Sequence, residues 1–114
     1  MSRAENLISA EPELIVDLWL YPAERGGRLI QLGWGSPCTV QSEQGKGWVG
    51  YDGWPLLGEN PMAPGERRRI GYVFLSGQDA VKHLKSAQKF YLWEMGLIGE
   101  VTIVFDVAPS SERD

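Results

Sequence analysis

Apolar and polar residues alternate along most of this chain in runs too short for long helices. Leu14-Ile-Val-Asp-Leu-Trp-Leu-Tyr21 is rich in β-branched and aromatic residues and stops at Pro22, which predicts a first strand. Gly26-Gly27 predicts a turn, after which Arg28-Leu-Ile-Gln-Leu32 resumes extended structure. Cys38-Thr-Val-Gln-Ser42 reads as a short strand bounded by Pro37 and by Gly45 and Gly47. Asp52-Gly53, set between Tyr51 and Trp54, is a hairpin signal. The two prolines of Asn60-Pro-Met-Ala-Pro-Gly65 predict a loop, because proline cannot donate to a ladder. Arg67-Arg-Arg-Ile-Gly-Tyr-Val-Phe-Leu75 begins charged and ends apolar, a further strand. Lys89–Trp93 and Leu97–Phe105 predict the last two.

Only Gln78–Ala87 reads as helical, with Ser76 as its expected N-cap and Asp79 near the positive end of the helix dipole. Val81 and Leu84 share one face of that helix. Short strands at fairly even spacing predict an all-β fold, a small closed antiparallel β-barrel of about six strands with one short helix. Closure removes sheet edges that so small a domain has no other means to cover. The expected barrel spans residues 14–106, between flexible segments at 1–13 and 107–114.

At 114 residues the chain holds one domain with a modest core. A lone cysteine, Cys38, excludes an internal disulfide, and with a lone histidine it excludes a His/Cys zinc site. No apolar run of about 18 residues is present, and the N-terminus lacks a signal peptide's basic and apolar regions, so the expectation is a cytoplasmic protein without a membrane partner. The net charge of -4 argues against a general nucleic-acid binder. The excess acid lies in residues 1–17 and 106–114, and the body between is nearly neutral.

Candidate chemistry is sparse. His83 lies among Lys82 and Lys85 and is expected on a solvated face, so Cys38 gains no base from it. Glu94 and Glu100 flank a turn and read as surface acids. Gly45-Lys-Gly47 lacks the spacing of a phosphate-binding loop. No catalytic, cofactor or metal site emerges, and the chain reads as non-enzymatic. Two features remain. Trp34, Trp48, Tyr51 and Trp54 crowd a glycine-rich region, either as a protein-binding surface or as barrel core. Arg67, Arg68 and Arg69 form a small phosphate patch or charged edge protection, with Arg67 and Arg69 facing one way and Arg68 the other.

Leu18-Trp-Leu-Tyr-Pro-Ala-Glu-Arg-Gly-Gly-Arg28 resembles the opening of the third, C-terminal barrel domain of elongation factor Tu-type translational GTPases. Gly35-Ser36-Pro37 stands where that family has a Gly-aromatic-Arg-Pro turn, and Pro64-Gly65-Glu66 matches its Pro-Gly-acid turn. Phe90-Tyr-Leu-Trp-Glu94-Met-Gly-Leu-Ile-Gly99-Glu-Val-Thr is similar to its last hairpin, slightly shortened. The likeness covers roughly residues 14–105 and implies a six-stranded antiparallel barrel. In the family this barrel helps hold the tRNA T-stem and meets the exchange factor and the second domain. The GTPase domain has no counterpart here, so no nucleotide cofactor or GTP hydrolysis is implied. Arg28 is the matched basic residue, whereas Ser36-Pro37 and Trp93 replace two cations of the family pattern. The favoured expectation is therefore a binding module for a protein partner, self-association included. The alternatives are tRNA or ribosome binding through Arg28, Arg67, Arg68 and Arg69, or a decoy or immunity-like mimic of elongation factor Tu.

Overall fold

Six strands form in chain order, β1 (Leu14–Leu20), β2 (Ser36–Gln41), β3 (Trp48–Leu56), β4 (Arg67–Phe74), β5 (Lys89–Trp93) and β6 (Leu97–Ile103). One helix, α1 (Gln78–Ala87), joins β4 to β5. The structure, a computed structural model, describes residues 11–41 and 47–104. The expected flexible segments fall outside the described residues except for 11–13. There, Glu13 donates its backbone N–H to the Tyr72 carbonyl at 2.9 Å and accepts from the Phe74 N–H at 2.7 Å.

Every neighbouring pair is antiparallel, in the order β1-β4-β3-β2-β5-β6, and β6 returns to β1. The all-β closed barrel with one short helix is thus the architecture. Its interior follows from the period-two pattern: Leu14, Val16, Leu18 and Leu20 of β1 all point inward and are buried. Tyr72 and Phe74 of β4 meet Phe90 of β5 across the lumen, with ring centroids 5.8 and 6.2 Å away. These rings tie opposite walls together. Helix α1 packs on β2 and β5 and buries Ala80, Val81, His83 and Leu84, so Val81 and Leu84 do share the covered face.

Several local expectations need correcting. Asp52-Gly53 does not turn; it lies inside β3. A side chain at position 53 would come within 2.8–2.9 Å of the Phe74 and Tyr72 rings, so this glycine serves close packing rather than a hairpin. Arg28–Leu32 is not a strand, because only Ile30 pairs, through a single bridge to Met62 in the proline loop. The helix begins at the expected residue, but its N-cap is Gly77 at φ 59°, with no side-chain cap from Ser76. His83 is buried rather than solvated. Among the described residues, no helix is long and apolar enough to cross a membrane.

Candidate functional site

The four aromatic residues singled out from the sequence do not form one platform. Along β3, Tyr51 faces inward, while Trp48 and Trp54 face outward, six residues apart. Tyr51 packs against the core and its hydroxyl lies 2.7 Å from His83 Nδ1. His83 Nε2 is 3.0 Å from the Gln41 carbonyl oxygen, which can only accept, so Nε2 carries a proton and donates it there. The histidine thus pins α1 to the end of β2. Trp34 also packs against the core, and its indole N–H donates to Glu94 Oε1 at 2.8 Å. The Trp54 ring covers Gly35, where any Cβ would lie 2.2 Å from the indole nitrogen.

Trp48 alone of the four is open to solvent, at 61% exposure. The barrel sets it beside residues that no local pattern groups with it. Trp48 (β3), Thr39 (β2), Trp93 (β5) and Leu97 (β6) line an open groove of about 440 Å³. Trp93 and Leu97 are 47% and 41% exposed, and Met95 of the intervening turn is 95% exposed. Tyr91 backs the groove, its ring 6.0 Å from that of Trp48 in an edge contact. Alternation along β5 puts Trp93 outward once Phe90 and Leu92 are core, a signal present in the sequence. Its meeting with Trp48 depends on β2 lying between β3 and β5, a non-local pairing. Large apolar side chains gathered in the open are the usual mark of a contact surface.

The candidate phosphate-binding arginines are already engaged. Arg28 Nη1 donates to Glu94 Oε2 at 3.2 Å. The same Glu94 accepts from Trp34, so the Gly26-Gly27 turn delivers Arg28 onto the last hairpin. That turn demands glycine, since a Cβ at position 27 would lie 1.5 Å from the Tyr21 carbonyl oxygen. As expected, Arg67 and Arg69 project outward and Arg68 does not. Arg69 makes a bidentate pair with Asp17 at 2.8 and 3.1 Å. Arg68 Nε donates to Glu66 at 2.9 Å, and its other nitrogens reach the Asn60 and Pro61 carbonyls at 2.6 and 3.0 Å. It braces the proline loop. Arg67 lies over the Trp19 ring at 4.5 Å.

The carboxylates confirm this division of labour. The Arg69 hydrogen bond holds Asp17 below its ordinary range. The backbone N–H of Ala63, then Arg68, does the same for Glu66. For Glu100 the largest single influence, burial, pushes its pKa up, but bonds from Lys89 and Tyr21 together outweigh it and leave the group lowered. Glu94 and Glu100 therefore serve separate cations, Arg28 and Lys89. Cys38 is enclosed, and burial pushes its thiol up to about 12, the opposite of a nucleophile. Beside it the Tyr72 hydroxyl is fully buried and makes no bond of good geometry among the described residues.

The chain matches no protein-family model, no curated protein and no solved structure.

Proposed function

We propose that this chain is a non-enzymatic, cytoplasmic binding module, a barrel of the elongation factor Tu third-domain type, whose partner is a protein. The observation that carries the reading is the open apolar groove of Trp48, Trp93 and Leu97. Tryptophans at a contact surface contribute disproportionately to affinity, because each buries a large area with few rotamers to freeze. The cations favour the same choice. Arg28, Arg68 and Arg69 already neutralise carboxylates, so a tRNA or ribosomal phosphate would have to displace those partners on a protein of net charge -4. Self-association through the groove and mimicry of elongation factor Tu are two forms of the protein-partner reading.

The test is capture from nuclease-treated cytosol on three immobilised chains: the unaltered protein, Trp48→Ala/Trp93→Ala, and Arg67→Ala/Arg69→Ala. The reading expects a protein that survives nuclease and is lost only with the tryptophan pair. Sedimentation of the purified chain reports self-association, and competition with elongation factor Tu for the captured protein reports mimicry. Partners that vanish with nuclease, or that bind the tryptophan variant equally, would overturn it.

A further inference from the structure

The groove of Trp48, Trp93 and Leu97 has a knob beside it. Met95 stands between Trp93 and Leu97, in the turn from β5 to β6, and is 95% exposed. At that exposure its side chain touches almost nothing of its own barrel. The Glu94 N–H donates to the Gly96 carbonyl at 2.8 Å and closes the turn, with Met95 held at φ 56°. A left-handed backbone favours glycine or asparagine, so a long apolar side chain at this position gains the isolated fold nothing.

We infer that the occupant of the groove is a second copy of this chain, docked about a two-fold axis so that each copy's Met95 enters the other's groove. The inference rests on the protein-partner reading of the groove and names that partner. Knob and hollow adjoin on one face, as a two-fold axis requires, because each copy must offer both. Methionine is flexible enough to fill an irregular hollow, and its sulfur makes favourable contacts with aromatic rings, here those of Trp48 and Trp93.

Area and charge agree with a copy. Among the described residues six large apolar side chains are exposed, and four of them, Trp48, Trp93, Met95 and Leu97, gather here. Together they expose on the order of 500 Å². A symmetric interface of ordinary size takes about 800 Å² from each copy, with about 65% of it apolar in homodimers, which is the share these four supply. The carboxylates beside Trp93 and opposite Tyr91 are already matched within the chain, Glu94 by Arg28 at 3.2 Å and Glu100 by Lys89 at 3.0 Å. A flank so balanced does not repel its own image, and it offers no unmatched sign to select an acidic or a basic partner.

Sedimentation equilibrium of the full chain, from micromolar to millimolar, should show a reversible monomer–dimer equilibrium. The Trp48 and Trp93 indole NMR signals should shift with it. Met95→Gly and Trp48→Ala should each weaken association about tenfold or more. Met95→Gly should leave the thermal stability of the monomer unchanged or raised, since glycine suits φ 56°. Either variant alone forms a dimer lacking both knob-in-groove contacts, whereas a mixed dimer of the two regains one. The mixture should therefore associate more strongly than each variant by itself. Three results would overturn the assignment: a chain monomeric to millimolar, indole signals that ignore dimer formation, or variants that associate as the unaltered chain does. If the chain is monomeric but another protein is captured through the same tryptophans, the second copy is excluded and the protein-partner reading stands. If nothing is captured either, both fall.

Discussion

The two halves of the barrel wall are held together differently. On the β4–β1–β6 side the ladders are long, with six residue pairs between β1 and β4 and five between β1 and β6. Their outer face is crossed by charge pairs and by arginine over tryptophan. On the β3–β2–β5 side, β2 meets β5 through only two residue pairs, Cys38 with Leu92 and Thr39 with Tyr91. Side chains supplement the short ladder there: Thr39 Oγ1 donates to the Tyr91 carbonyl at 3.2 Å, and His83 holds the Gln41 carbonyl. The weaker joint is also where the uncovered tryptophans lie. A wall closed by backbone can carry charge on its surface. The other half is laddered as fully between β2 and β3, by six residue pairs, and is short only at the β2–β5 joint, beside which the apolar side chains lie open.

The comparison fails most visibly if the tie between the walls is cut. Phe90→Ala removes the ring that joins β5 to Tyr72 and Phe74, and should cost about 3–5 kcal/mol in a denaturant titration. His83→Ala should cost about 1–3 kcal/mol, since it removes the ring that bonds both the Tyr51 hydroxyl and the Gln41 carbonyl and fastens α1 to the barrel. Amide exchange should then accelerate on β2 and β5 and stay slow on β1. Equal acceleration on β1 would show that the halves do not differ.

Smaller effects sharpen the contrast. Asp17 and Glu100 have folded-state pKa values below their ordinary ones, so their stabilisation is present above that ordinary range and is lost as pH falls through the folded values. Both pairs lie near or at the surface, where water and salt screen them, so each contributes little. Asp17→Asn should therefore lower stability by less than about 1 kcal/mol at neutral pH and by nothing at low pH, with the change confined to the β1–β4 signals. Trp48→Ala should shift stability by no more than about 0.5 kcal/mol because the ring is mostly solvated, yet it should abolish partner capture. A large loss of stability would make Trp48 a structural residue.

Much of this architecture was legible in the residues themselves. Strands at Leu14–Leu20 and Lys89–Trp93 and the helix at Gln78–Ala87 follow local alternation and spacing, and those signals survive folding. What escaped were positions where distant contacts overrule local preference. Asp52-Gly53 has turn chemistry, but the Tyr72 and Phe74 rings need an absent side chain there more than the chain needs a turn. His83 stands near lysines on α1, yet Tyr51 of β3 and Gln41 of β2 capture it. The candidate site was half visible. Trp48 was identifiable as a large aromatic residue, but its grouping with Trp93 and Leu97 requires the barrel order. That order brings together residues 45 and more positions apart in the chain.

Cys38 sits inside this barrel, paired with Leu92 at the two-residue joint, and its sulfur is sealed from water. In the closed state almost none of it is thiolate at neutral pH, so an alkylating reagent finds nothing to attack. Covalent labelling therefore requires an opening of the barrel that brings the sulfur to solvent. The chain thus carries its own stopwatch: the rate of thiol modification counts how often the wall comes ajar.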